Sequence, residues 1–258
     1  MLTIQLRSIY STPLLKGLLA VIALSLSSMV YAGSAKWSTT NVQYLYGTNY
    51  NTGLGGDDTK GIFTLEHANG WEYGDNFFFL DITNPNRKGS NTSTELYAEF
   101  SPRFSLSKIT GKNLSLGIVK DFLITTTLEA GNGFHSYLYG VAADLDLPGF
   151  KFFQVNWYFV RDEATSNNKG SQVTLAWLLP FKAGGLDISF EGFADYAYGL
   201  GAKESNLVTA PRLLVDIGKY FGAPGTLQAG IEYQIWRNQF GVKNQDEDVA
   251  QLMVKWTW

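Results

Sequence analysis

Apolar and polar residues alternate along most of the chain with a period of two instead of the 3.6 of a helix. In the stretch 226–237, aliphatic residues and tyrosine occupy one parity, and glutamine, glutamate and tryptophan occupy the other. Clusters of Gly, Asn and Asp interrupt the alternation, which is the pattern of β-strands joined by turns. Twelve strands are predicted, at 37–46, 61–68, 75–83, 94–104, 113–128, 134–147, 150–161, 171–180, 186–197, 207–219, 226–237 and 248–258.

The alternation suits either a soluble β-sandwich or a β-barrel in a lipid bilayer. Aromatic residues near strand ends on the apolar parity, such as Tyr137 and Tyr139, favour the barrel. Such rings lie well among lipid headgroups, where they form an aromatic girdle. Strands of about 9–11 residues also match a tilted bilayer crossing. The sequence therefore predicts an all-β transmembrane antiparallel β-barrel of twelve strands.

The connections between predicted strands alternate in length. Most connections that follow odd strands are long and polar, with 129–133 as a short exception. Those after even strands are mostly short, with 105–112 the longest of them. Long loops at one end and short turns at the other are typical of outer-membrane barrels, whose turns lie in the periplasm. An even strand number then predicts that both termini are periplasmic.

The last predicted strand, 248–258, carries one wholly apolar edge that ends in Trp256 and Trp258. In lipid, every backbone N–H and C=O must pair, so this strand is expected to pair with the first strand and close the sheet. We interpret the two tryptophans as a signal for the barrel-assembly machinery. The alternative is the edge strand of a soluble sheet, which would expose an aggregation-prone edge.

The first 32 residues have the pattern of a secretory signal peptide. Arg7 and Lys16 supply positive charge, a mostly apolar run follows at 17–30, and Val30 and Ala32 suit a cleavage site. That run is too short for a membrane-spanning helix, although an uncleaved anchor remained an alternative. The expected domains are a removed signal peptide at 1–32 and a barrel at 33–258. The chain has no cysteine and a net charge of −3, which argues against disulfides, thiolate metal sites and a nucleic-acid partner.

The segment 99–122, EFSPRFSLSKITGKNLSLGIVKDF, resembles the Tsx/OmpK family of nucleoside channels from bacterial outer membranes. The preceding aromatic and acidic hairpin at 63–83 and the C-terminal aromatic strand are also similar to that family. The matching positions are Glu99, Pro102, Arg103, Phe104, Ser105, Lys108, Thr110, Leu114, Ser115, Gly117 and Lys120. The resemblance implies a twelve-stranded outer-membrane channel for nucleosides.

If the polar parity of each strand faces inward, the lumen combines carboxylates, arginines and aromatic rings. Flat rings would stack on a nucleobase, and carboxylates would accept hydrogen bonds from sugar hydroxyls. Packing of the rings and ion pairing of the carboxylates are the structural alternatives to binding. The candidate solute-binding residues are Phe77, Phe79, Asp81, Tyr97, Glu99, Arg103, Tyr158, Glu191, Phe193, Asp195, Arg212, Glu232 and Trp236.

Three functions follow from this sequence. The first is a passive channel for nucleosides or similar small polar solutes, without a cofactor or metal. The second is a non-conducting structural or adhesion barrel, or a phage receptor that acts through its extracellular loops. The third is an enzyme in the membrane, which is disfavoured because His135 and Ser136 are adjacent on a strand and point to opposite faces. The glycine-rich stretch 53–58 lacks the alternating ligand pattern of a calcium loop.

Overall fold

The computed structural model describes residues 35–54, 56–85, 94–162 and 169–258. The predicted signal peptide at 1–32 lies outside these residues, as do parts of the predicted loops 84–93 and 162–170. Among the described residues, no helix is long and apolar enough to cross a membrane.

The described chain is nearly all β-structure. The strands are β1 (Trp37–Thr48), β2 (Thr59–Trp71), β3 (Gly74–Thr83), β4 (Glu95–Ser105), β5 (Val119–Gly131), β6 (Phe134–Leu145), β7 (Phe152–Asp162), β8 (Lys169–Ala183), β9 (Leu186–Tyr198), β10 (Asn206–Thr209), β11 (Arg212–Asp216), β12 (Leu227–Arg237) and β13 (Glu247–Thr257). One short α-helix, α1 (Leu106–Thr110), and two 3₁₀ turns, Gly218–Phe221 and Gln239–Gly241, accompany them.

Every strand pairs antiparallel with its neighbour, and the sheet closes on itself because β13 pairs with both β12 and β1. At the closure, Tyr44 lies opposite Val254. Both β10 and β11 pair with β9 on one side and β12 on the other, so together they occupy one strand position in the barrel wall. We call each such position a stave. The closed barrel therefore has twelve staves, which confirms the predicted fold. The start of β1 and the end of β13 lie at the same end, whose periplasmic location stays a prediction.

The stave formed by β10 and β11 is broken at Ala210 and Pro211. Proline has no N–H to donate to the neighbouring strand. The Pro211 carbonyl still accepts from the Tyr233 N–H of β12 at 2.9 Å. Gly192 on β9 faces the break, and a Cβ there would lie 2.5 Å from the Ala210 carbonyl oxygen. The prediction of one strand over 207–219 was therefore wrong at this break and at its end, because β11 stops at Asp216 and a 3₁₀ turn follows.

The predicted strand 113–128 also begins too early, since β5 starts at Val119 and α1 precedes it. The Ser105 hydroxyl caps α1 by accepting from the Lys108 N–H at 3.0 Å, and Gly111 ends the helix with a positive φ of 66°. A serine N-cap and a glycine C-cap are strong local helix signals. The helix lies in the predicted connection 105–112, and β5 begins late because Leu116 and Val119 pair across a turn in which Gly117 has a φ of 59°. The PRFS segment therefore ends a strand and begins a helix.

The two faces of the barrel differ as the alternation predicts. On β13, Leu252 and Trp256 on the outer face are 68% and 59% exposed, whereas Gln251 and Met253 on the inner face are 1% and 2% exposed. Outer rings also pair between strands, as in Tyr44 with Phe63 at 4.9 Å between ring centres. The apolar parity therefore faces outward, as required in lipid.

Part of the interior is apolar and forms two clusters. Leu45, Leu214 and Met253 form one buried cluster inside the wall. A second cluster places Leu200, from the connection after β9, against strand residues that include Leu138 and Tyr158. The second cluster therefore holds the connection after β9 against the inner wall.

A charge at the centre of the outer face should destabilise the barrel. We expect Leu252→Lys to lower the free energy of folding into lipid vesicles by about 2–4 kcal/mol, because an ammonium is driven into hydrocarbon. Urea titration with tryptophan fluorescence as the readout measures this loss.

The control is Leu186→Lys, which places the same side chain on the outer face at the first residue of β9, beside a short turn. Near the interface its effect should be at most about 1 kcal/mol. Equal losses at both positions would contradict the assignment of this face to lipid.

Candidate functional site

The barrel encloses a cavity of about 2460 Å³. All thirteen residues named as candidates from the sequence border it. Their inward placement follows from parity, because residues two apart on a strand project to the same side of the sheet. Their role in solute binding stays a prediction. The contacts of ten of them define three groups, and Tyr158, Phe193 and Trp236 lie outside these groups.

The first group is a ladder of aromatic rings on one wall, formed by Phe77, Phe79, Tyr97 and Phe134. The ring centres are 5.9 Å apart for Phe77 and Phe79, and 5.6 Å apart for Phe79 and Tyr97. Tyr97 then stacks on Phe134 at 6.0 Å. The ring of Phe77 is 37% exposed although it projects inward, so it presents an apolar surface to the cavity.

Phe134 is a member of this aromatic ladder that the sequence analysis missed. It follows a tight connection, Asn132–Gly133, in which Gly133 has a φ of 85° that favours glycine. Its ring lies over Gly131, where a Cβ would come within 2.3 Å of the ring. The parity of Phe134 with Ser136 and Leu138, both of which border the cavity, was the available signal.

The second group consists of arginines held by carboxylates. Arg103 Nε and Nη2 donate to the two oxygens of Asp75, each at 2.8 Å, and Nη1 donates to Asp144 at 2.8 Å. Asp75 lies directly opposite Arg103 on the neighbouring strand. Because the Arg103 side chain is only 5% exposed, these bonds fix the shape of the wall at this point.

Arg212 makes a similar bridge on the other side of the cavity. Its Nε donates to Glu232 at 2.6 Å, and its Nη1 donates to Glu66 on β2 at 3.1 Å. Glu191 pairs with Lys255. Arg103, Arg212, Glu191 and Glu232 are therefore engaged with other wall residues, as the ion-pairing alternative anticipates.

The third group comprises carboxylates that form no ion pair with a described Lys or Arg: Asp81, Glu99 and Asp195. Asp81 accepts from the Thr64 hydroxyl at 2.5 Å, and Glu99 accepts from the Tyr97 hydroxyl at 2.5 Å. Asp195 on β9 is bonded to the Thr174 side chain and lies within electrostatic range of Glu99. Phe193 borders the cavity between Glu191 and Asp195 on β9, and these two carboxylates have different partners, Lys255 and Thr174.

Tyr158 and Trp236 are held by local contacts. The Tyr158 hydroxyl lies 2.9 Å from the Thr125 hydroxyl and is buried in the apolar cluster with Leu138. Trp236 packs on Phe240 at 4.7 Å between ring centres. Trp256 and Trp258, the proposed assembly signal, are exposed on the outside at 59% and 65%, and their recognition by the assembly machinery stays a prediction.

The connection after β1 reaches into the barrel through Tyr50, which the sequence analysis did not identify. The Tyr50 hydroxyl donates to Gln251 Oε1 at 2.5 Å, and Gln251 donates to Glu232 at 2.8 Å. Burial, with a contribution from the negative charge of Glu232, raises the pKa of Tyr50. The phenol therefore stays protonated at neutral pH and keeps donating this bond.

Breaking the Arg103 pairs should weaken the fold. We expect Arg103→Met to lower the free energy of unfolding by roughly 3 kcal/mol, because Asp75 and Asp144 would keep their charges in a largely desolvated wall. Urea unfolding in lipid vesicles measures this change.

The control is Lys182→Met, which removes a lysine that also pairs with an aspartate but is 83% exposed. Little change is expected there, since exposed ion pairs contribute little. An Arg103→Met barrel as stable as the unchanged protein would contradict a structural role for the arginine.

Comparison with known proteins supports the same architecture. A family model described as "Nucleoside-specific channel-forming protein, Tsx" matches residues 32–255. An outer membrane protein OmpK of Vibrio parahaemolyticus is 29% identical over 133 residues, which are 49% of this chain and 51% of that protein. The chain thus spans about half the length of this relative.

A second OmpK, from V. parahaemolyticus serotype O3:K6 (strain RIMD 2210633), is 23% identical over 230 residues, or 84% of each chain. Among solved structures, a KdgM porin superposes with a TM-score of 0.50 at 9% identity, covering 84% of this chain and 99% of the porin. At that identity, the likeness shows the barrel fold alone.

Proposed function

This chain belongs to the Tsx family of nucleoside-specific channel-forming proteins, and on that premise we propose that it conducts nucleosides passively through its lumen. The barrel is an outer-membrane channel, in keeping with its family and its OmpK relatives. The resemblance seen at residues 99–122 is thereby confirmed. The finer claims, that nucleosides are the solute and that the lumen residues bind them, are the proposal.

The aromatic ladder beside unpaired carboxylates carries this proposal. Four rings follow one another at 5.6–6.0 Å between centres, so a flat base could move from one ring to the next. Stacking of a base on an aromatic side chain contributes about 1–3 kcal/mol. Asp81 and Glu99 lie opposite Tyr97 and Phe79 on neighbouring strands, where their oxygens would accept hydrogen bonds from sugar hydroxyls.

The remaining wall supports passage without tight binding. Ion pairs hold both arginines, Arg103 and Arg212, against the wall, so neither is free to grip a solute. Successive weak contacts suit a channel, because a solute must leave each position as readily as it enters. No cofactor or energy source is needed for diffusion of this kind.

Conductance in a planar bilayer tests the proposal. Added adenosine should reduce the ion current through the unchanged protein, since a bound nucleoside occupies the pore. In the double variant Phe77→Ala/Phe79→Ala, we expect the half-blocking concentration to rise roughly tenfold or more, as stacking on two rings is lost.

The control is Tyr139→Ala/Phe159→Ala, which removes an outward-facing pair of rings that are 56% and 48% exposed. Its block by adenosine should match that of the unchanged protein. Block that survives in the Phe77/Phe79 variant would overturn the assignment of the aromatic ladder, and a protein unaffected by adenosine would overturn nucleoside binding.

The second candidate is a barrel that does not conduct and serves as a structural or adhesion surface, or as a phage receptor. Two loop residues, Leu200 and Tyr50, pack against the inner wall and occupy part of the lumen, which favours this reading. Liposome swelling separates the two. Faster entry of nucleosides than of sugars of equal size supports the channel, and no swelling with either supports the closed barrel.

A further inference from the structure

The charges inside the barrel are unevenly compensated. Arg103 is held by two carboxylates, Asp75 and Asp144, and Arg212 is held by two others, Glu66 and Glu232. Each arginine bridge therefore carries a net negative charge. The two ion-paired regions of the wall therefore repel anions as well, because each has one more carboxylate than arginine.

Three further carboxyl groups lie beside the aromatic ladder. Among the described side chains, only hydroxyl groups donate hydrogen bonds to Asp81, Glu99 and Asp195. Glu129 lies directly opposite Glu99 on β5. Glu99 and Asp195 come from β4 and β9 and border the same cavity. We call Asp81, Glu99 and Asp195 the acidic band.

A buried amide supplies independent evidence that this region accepts hydrogen-bond donors. Asn156 borders the cavity, is only 4% exposed, and its Oδ1 is buried with no hydrogen-bond partner. It is level with Asp195, because Asn156 lies opposite Thr174 on β8 and Thr174 lies opposite Asp195. One oxygen of Asp195, Oδ1, is likewise buried and unpartnered. A buried acceptor left unpaired costs about 1–3 kcal/mol. Both oxygens have less than 1 Å² of exposed surface, so a solute can donate to them only after the side chain rotates towards the cavity, and that rotation would satisfy the acceptor.

The aromatic ladder is suited to the same kind of solute. The face of an aromatic ring carries partial negative charge, and a cation over it gains about 0.5–2 kcal/mol, depending on its exposure to water. Phe77, Phe79, Tyr97 and Phe134 thus provide both stacking surfaces and cation–π surfaces next to the acidic band. An aromatic amine uses all of these features, since its ring stacks and its ammonium donates to the carboxylates.

We propose that the acidic band and the aromatic ladder select cationic aromatic solutes over anionic ones. This inference rests on the proposed function in one respect, because it requires a conducting lumen. It extends that function by naming a charge preference. A solute with a ring and a protonated amine should bind best, a neutral nucleoside less well, and an aromatic carboxylate least.

Two bilayer measurements test the inference. In a KCl gradient, the reversal potential of the unchanged protein should show K⁺ passing in preference to Cl⁻. Tyramine and 3-(4-hydroxyphenyl)propionate share one phenol ring and carry opposite charges at neutral pH. Tyramine should block the current at a concentration at least tenfold lower than the propionate.

The variant Glu99→Gln/Asp195→Asn removes two charges from the acidic band with little change in shape. We expect it to bring the K⁺/Cl⁻ permeability ratio towards one and to reduce the difference between the two probes several-fold. The matched control is Glu72→Gln/Glu204→Gln, which removes two charges from exposed turns and should leave both readouts unchanged.

The possible outcomes are distinguishable. A protein that does not conduct, or that adenosine does not block, would defeat the proposed function. A protein that adenosine blocks but that has no preference for K⁺ or tyramine would overturn this inference alone. Unchanged selectivity in the Glu99→Gln/Asp195→Asn variant would also overturn it. If the double variant does not fold, Glu99→Gln alone carries the comparison with the same expected direction.

Discussion

Pairing between the first and last strands is the interaction on which the rest of the structure depends. Inside a bilayer no water is present to satisfy backbone N–H and C=O groups, so an open sheet edge is not tolerated. Here β1 and β13 pair over Asn41–Gly47 and Gln251–Thr257, and this ladder turns a sheet into a closed wall. Once the wall is closed, each strand has one face towards lipid and one towards the lumen.

The chemistry of the interior follows from that closure. Register sets which inward groups meet, so that Asp75 is opposite Arg103 and Glu232 is opposite Arg212. Register also places Phe79 next to Glu99 and Asp81 next to Tyr97, which brings rings and carboxylates together on one wall. The proposed binding track and its charge preference are therefore consequences of strand pairing and need no separate domain or cofactor.

Much of this organisation could be predicted from the sequence because the side-chain period of a strand is two. Parity alone assigned Phe77, Phe79 and Asp81 to the inside and Leu252 and Trp256 to the outside. Parity does not determine which inward side chains contact each other. Glu66 on β2 contacts Arg212 on β11 because the curvature of the closed wall brings distant strands together. The same holds for the proximity of Glu99 and Asp195.

Other differences arise where local chemistry overrides alternation. A turn that pairs Leu116 with Val119 replaces the predicted start of β5, and Pro211 interrupts a stave that the pattern continues. Tyr50 lies in a loop, where no period exists, and it is held by a side-chain bond to Gln251 and a backbone bond to Asp58. Phe134 follows the parity rule, but its membership of the aromatic ladder is shown only by its stacking on Tyr97.

The central claim is that residues along each strand face alternately the water-filled lumen and the surrounding lipid. Thiol labelling tests this claim most directly. The chain has no cysteine, so a thiol reagent can react only with single cysteines introduced at positions 77 to 82 of β3. In lipid vesicles, a membrane-impermeant thiol reagent should label cysteines at 77, 79 and 81 and leave those at 78, 80 and 82 unlabelled. Labelling that is uniform along the strand, or that follows the opposite parity, would contradict the account.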